Sequence, residues 1–330
     1  MKRILFLSAL ALLMVCCSPK PKPTTVIFDT DMGNDIDDAL ALAVMSHYID
    51  EGIIRVPAIG MSKGGDPAAA YTDAVITWYG HGDIPLGVVR DVTSEASRYT
   101  SRVLEMRDEN NDVLFPGTLS NYSSLPDAHT LYRQVLAQEP DTSVIFVVVG
   151  FSTNMARLLE SGPDQYSPLT GHELVQKKVK ELVMMAGRYN EPIGEYNVIT
   201  DIPSAQKVFA EWPTPIVVTP FELGVDVRFP SSKLDSIGNG KPNPVAEGYK
   251  KYMSPQYDAC SWDPTALFYA AGFTDLFGIT EPGITVVDSA GLTTLTPCTD
   301  GNCRVLTANA AQKAVLIDHL SRWVIGTPTK

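Results

Sequence analysis

The stretch "FDTDMGNDIDDALALAV", residues 28–44, carries five aspartates within ten positions, Asp29, Asp31, Asp35, Asp37 and Asp38, with no Lys or Arg among them. Carboxylates this close repel one another unless they point apart, accept hydrogen bonds or share a cation. A helix beginning near Ile36 would relieve one or two of them, because acids in a first turn meet unpaired backbone N–H groups and the positive end of the dipole. That account leaves out Asp29 and Asp31, which follow directly on an apolar run. An all-oxygen donor set suits a hard cation, Ca²⁺ or Mg²⁺, better than zinc or copper. A calcium loop of the EF-hand kind starting at Asp29 is excluded, since Asn34 stands where it needs Gly and Leu40 where it needs Glu.

These residues need strands and helices to bring them together. The runs "TTVIFDT", "GIIRVPAIG", "DIPLGVV", "TSVIFVVVG", "KELVMMAG", "TPIVVTP" and "GITVVD" have the length and near-continuous apolar character of buried parallel strands. Helical patterns separate them at 37–50, 66–79, 127–138, 152–160, 203–211 and 263–272. This alternation predicts an α/β fold with an open, mostly parallel, doubly wound sheet and helices on both faces. Residues 228–244 read as a lid or surface loop. Strands at 283–287 and 291–306 and a helix at 308–326 complete one domain over 25–330. Ligands of such sheets bind outside the carboxyl ends of the strands. The rule selects Asp29–Asp38, Val149–Asn154, Ala186–Asn197 and Phe221–Gly224.

The formal net charge of −12 argues against a phosphate-binding surface for nucleic acid and favours a small ligand or a metal. Residues 1–17, "MKRILFLSALALLMVCC", have a basic start, an apolar run and terminal cysteines, which read as an export signal. The run is short for a membrane span, and its ending resembles a bacterial lipoprotein signal, with Cys17 or Cys16 as the lipid-modified residue and 18–24 as a tether. The expected location is therefore exported and lipid-anchored, in the periplasm or outer membrane, and a homo-oligomer is compatible with the reading. In that compartment Cys298 and Cys303 of "CTDGNC" could close a hairpin disulfide, with two reduced thiols as the alternative.

The motif "DTDMGNDIDDALAL" resembles the N-terminal signature of the inosine-uridine nucleoside hydrolases, Asp-x-Asp-x-Gly-x-Asp-Asp. Its first residues also resemble an aspartyl-phosphate phosphatase, a likeness that stops at Gly33. The hydrolase resemblance continues in "VVVGFSTNMARLL", in "ELVMMAGRYNEPIGEYNVITDIPSAQKVF" and in "SWDPTAL", four segments in the family's order.

The resemblance implies Ca²⁺-dependent cleavage of the N-glycosidic bond of a ribonucleoside. It places the metal on Asp31, Asp38, Asp263 and the Val149 carbonyl, with Asp35 as a further candidate because three residues separate Gly33 from Asp37-Asp38 where the family has one. Asp31 would be the general base, and Asn197 joins it as a catalytic candidate. Asp37, Glu195, Asn197 and Asn190 would hold ribose, while Asn154 is expected to cap a turn. Trp262 stands where nonspecific members have His, which resembles the purine-preferring branch; no second aromatic is identified. The Asn expected after the second strand is replaced by Ser62, Lys63 and Gly64. Alternatives are a hydrolase of another N-ribosyl compound and a catalytically silent calcium- and sugar-binding lipoprotein.

Overall fold

The computed structural model describes residues 22–92 and 96–327, so the signal segment and most of the tether lie outside the described residues. Six parallel strands lead the chain: β1 (Thr24–Thr30), β2 (Ile54–Met61), β3 (Leu86–Val88), β4 (Val144–Val148), β5 (Val179–Met185) and β6 (Ile216–Thr219). Short strands β7 (Arg228–Phe229) and β8 (Ala259–Cys260) pair separately. The main sheet is completed by β9 (Gly278–Ile279), β10 (Gly283–Val287), β11 (Thr293–Pro297) and β12 (Cys303–Thr307), in the order β11-β10-β12-β6-β5-β4-β1-β2-β3 with β9 beside β12.

Alternate residues of each central strand enter different cores, as a period of two requires. Val26 and Phe28 of β1 and Ile145 and Val147 of β4 pack on one face, with helices α1 (Asp37–Asp50) and α2 (Asp66–Trp78). Ile27, Val144 and Phe146 pack on the other, below α3 (Ala128–Gln138), α4 (Thr153–Glu160) and α5 (Gly171–Lys178). Helix α1 is buried nearly all round, which its Ala-Leu repeat permits. Further along come α6 (Tyr196–Thr200), α7 (Ile202–Glu211), α8 (Pro244–Tyr252), α9 (Asp263–Ala270) and α10 (Ala310–Ile325). The last starts with a reciprocal Asn309–Gln312 capping box and ends at Gly326 in the left-handed region.

Sheet order departs from the expectation at the C-terminal end. The segment 291–306 is two strands, and β12 lies between β10 and β6 instead of pairing with β11. "CTDGNC" is therefore a crossover, not a hairpin turn, and Cys298 and Cys303 are both free thiols. Residues 228–244 are no lid: Leu234 and Ile237 are buried in the core, and Asn243 caps α8.

Strand β1 has β2 on one side and β4 on the other, both parallel to it, so the winding direction reverses between β1 and β4. A crevice opens at the carboxyl ends of two strands where winding reverses. The aspartate motif leaves β1 into that crevice, and Val149 leaves β4 beside it.

Candidate functional site

The end of β1 is locked between its neighbours by backbone bonds. Val149 N–H donates to the Asp29 carbonyl at 2.8 Å, and Ser62 N–H to the Thr30 carbonyl at 2.8 Å. Gly150 is required here, because a Cβ would lie against the Ser62 hydroxyl and 2.5 Å from Asp31 N. Gly33 turns the chain back with φ +105° and accepts Arg98 N–H on its carbonyl at 3.0 Å.

Asp31, Asp35, Asp37 and Asp263 line one cavity of about 400 Å³, a size suited to a small ligand, together with Val149, Glu195, Asn197 and Trp262. Asp38 lies beneath them, fully buried, with the Thr30 hydroxyl donating to its carboxylate. Carboxylate oxygens of Asp35, Asp37 and Asp38 come within 4.8 Å of one another, close enough to share one ion. Helices α1 and α9 both point their N-termini at this cluster. Asp37 joins them, its Oδ2 accepting the backbone N–H groups of Trp262 at 2.8 Å and Asp263 at 3.1 Å.

The electrostatics follow from burial. Asp31 is pushed up to about 7 by burial and then by Asp35. Burial, followed by repulsion from neighbouring aspartates, drives Asp37, Asp38 and Asp263 well above the usual carboxylate range. Asp35 is also raised by burial, and Arg98 and Lys63 pull it partly back. Lys63 is buried and donates to the Asn34 side-chain oxygen, while the Asn34 amide donates to Asp31. Five raised carboxylates with oxygen as their only ligand atom, next to the carbonyl of Val149, fit a hard divalent cation.

Asp29 points the other way. It is wholly buried under the sheet end, where the Tyr132 hydroxyl donates at 2.5 Å and Asn154 Nδ2 at 2.8 Å. Asn154 is thus no cap; it ties Asp29 and the Met61 carbonyl together. Glu195 lines the cavity and also caps α6, accepting N–H groups from Asn197, Val198 and Gly187. Burial raises it to about 7. Asn197 donates its Nδ2 to the Val149 carbonyl at 3.0 Å and the Met185 carbonyl at 3.2 Å, which leaves its amide oxygen for the cavity.

Asn190 does not reach this cavity. Glu222 accepts the N–H of Tyr189 at 3.1 Å and turns the loop so that Asn190 is exposed on a separate depression. Arg188 faces the site instead. Sequence reasoning also missed the aromatic partner of Trp262, which is Phe221, with ring centroids 5.4 Å apart and planes 32° apart. Trp262 Nε1 donates to the Phe221 carbonyl at 2.8 Å and holds the pair. The location of "PFELG" at a strand's carboxyl end was the signal for Phe221. Tyr196, at the rim, could not be singled out from sequence. Among the described residues no histidine lines the cavity.

Residues 26–318 match the family described as inosine-uridine preferring nucleoside hydrolase. The chain belongs to that family. This nucleoside hydrolase is an N-glycosyl hydrolase of a metal-dependent family, and its Asp35, Asp37 and Asp38 are a group that could hold a metal ion. Its fold is similar to that of a purine-preferring ribonucleoside hydrolase from Gardnerella vaginalis (15% identity, TM-score 0.71, covering 92% of this chain and 99% of that one). It is also similar to an inosine-uridine preferring nucleoside hydrolase from Bacillus anthracis (18%, 0.64, 91% and 99%). A third similar structure is the type III effector XopQ complexed with adenosine diphosphate ribose (16%, 0.62, 93% and 94%). No curated protein matches the chain by sequence.

Proposed function

We infer that this nucleoside hydrolase is Ca²⁺-dependent and releases the base, purine in preference to pyrimidine, from a ribonucleoside. The observation that carries the reading is one cavity lined both by the clustered aspartates and by the Trp262–Phe221 pair. Calcium would be held by Asp31, Asp35, Asp38, Asp263 and the Val149 carbonyl, and when bound it supplies a Lewis acid and a template for hydroxyl groups.

Asp31 takes the proton of the attacking water. Its carboxylate is positioned by the Asn34 amide and lines the cavity, where it can reach a water beside the ribosyl group. The leaving base departs from a ribosyl group that gains positive charge at its anomeric carbon. Preorganised negative groups at Asp37, Glu195 and the neighbouring aspartates stabilise that charge without reorganising. Asn197 presents an acceptor to a ribose hydroxyl. The Trp262 ring, backed by Phe221, favours the larger purine surface. The replacement of the expected Asn after the second strand by Ser62, Lys63 and Gly64 supports a second reading, hydrolysis of another N-ribosyl compound. The export and lipid-anchor reading of residues 1–17 rests on their sequence alone.

The purified protein incubated with a panel of nucleosides should release reducing sugar, and a chelator should abolish the release. Absence of release from every nucleoside in the presence of calcium refutes the reading. Asp31→Asn should lose about a thousandfold or more in kcat while keeping its thermal midpoint, within the range of a positioned general base. Near-normal turnover would remove Asp31 from that role.

A further inference from the structure

A pocket that stabilises a developing cation is a poor place for a fixed positive charge. Two arginines nevertheless border it, Arg98 and Arg188. The charge of Arg98 is used locally, since it acts on Asp35. Arg188 has no such use. Among the described residues its one ion pair, 3.1 Å from Nη1, is with Glu191, which is exposed and screened, not with a buried acid. The guanidinium lies over the Phe221 ring, with Cζ 3.6 Å from the centroid, and its side chain is 14% exposed. Its Nε is buried with no acceptor among the described residues, an arrangement that is unfavourable until one is supplied.

The position of Arg188 is specified by the backbone. It follows Gly187, whose N–H is bound by Glu195 and whose carbonyl accepts Phe221 N–H at 2.9 Å. These bonds anchor the Arg188 backbone beside both Glu195 and Phe221, and all three residues line the same cavity. A stacked arginine with Nη1 engaged offers its Nε–Nη2 edge, the geometry that takes two oxygens of a carboxylate or phosphate.

Resting on the reading of the site as an N-ribosyl hydrolase, we propose that its substrate carries an anionic substituent, a phosphate on the ribose 5′ oxygen or a carboxylate on the leaving base, recognised by Arg188. The substituent supplies the acceptor that Nε lacks and cancels a charge that would otherwise oppose the reaction. Neutral nucleosides are then the poorer substrates of this protein.

The test compares kcat/KM for adenosine, adenosine 5′-monophosphate, uridine and 6-carboxyuridine in the calcium-loaded wild type, Arg188→Lys and Arg188→Met. The expected wild-type preference for one anionic compound over its neutral parent is about tenfold to a hundredfold, the worth of a charge-assisted pair. That ratio should collapse in Arg188→Met and be partly kept in Arg188→Lys, and each ratio is internal to one protein sample. Preference for the phosphate places the anion at the 5′ end; preference for the carboxylate places it on the base. Equal or better use of the neutral parents, or an unchanged ratio in Arg188→Met, overturns the proposal while leaving the hydrolase reading intact. If nothing is cleaved, the hydrolase reading fails. Calorimetric binding of the same four compounds to the wild type and Arg188→Met then still decides the anion.

Discussion

Replacing Asp29 by Asn removes the one motif aspartate that faces away from the cavity, and its effect on stability can be worked from burial. In the folded protein the Asp29 carboxyl is raised from 3.8 to about 7 by burial, against which Tyr132 and Asn154 donate hydrogen bonds. The folded state therefore binds this proton more tightly than the unfolded chain. The associated stability is complete below the unfolded value and is lost as pH rises through about 7. That difference corresponds to about 4 kcal/mol. Asn is neutral throughout, and its oxygen still accepts from Tyr132 and Asn154. Its amide would sit where Asp29 Oδ1 now has no partner, a pH-independent cost of about 1–3 kcal/mol. The constant term moves the whole curve without changing its slope. Urea unfolding in chelator should show the stability of Asp29→Asn relative to wild type improving by about 4 kcal/mol between about pH 4 and about pH 8. A difference flat to within about 1 kcal/mol over that window would refute the reasoning.

Calcium at a hundredfold excess over its dissociation constant should add about 2.7 kcal/mol and raise the thermal midpoint, and Asp38→Asn should remove most of that rise; no shift in the wild type counts against a cation at the cluster. Trp262→Ala should raise KM for purine nucleosides by about tenfold or more, through loss of stacking worth about 1–3 kcal/mol, and affect pyrimidines less. Equal losses for both bases would assign Trp262 to packing. Gly150→Ala should destabilise the protein by about 1–3 kcal/mol and impair turnover, because its Cβ meets Ser62 and Asp31 N; a neutral result in both assays would show that the β1 and β4 ends can separate.

Much of the site was legible because it is local. Asp31, Asp35, Asp37 and Asp38 lie within one strand-to-helix turn, and the rule that ligands bind at strand carboxyl ends selects that turn together with Val149. Apolar runs without alternation identified the buried parallel strands. "GITVVD", read with them as a buried parallel strand, is β10, which pairs antiparallel and alternates buried and exposed residues because one face of it is left open. The segments that misled were those whose partners are distant. "CTDGNC" has the composition of a hairpin turn, yet β12 is claimed by β6, whose strand lies more than eighty residues earlier.

The chain's sequence by itself determined the family, the acidic motif and the side of the sheet on which it acts, because strand periodicity and short-range spacing are properties of consecutive residues. Only the tertiary structure decided which groups complete the site. It turned Asp29 into a buried strut, bound Asp37 to the start of α9, sent Asn190 outside and brought Arg188 and Phe221 in. Each of these outcomes is set by a hydrogen bond or packing contact between segments far apart in the chain, and no local pattern encodes such a partner.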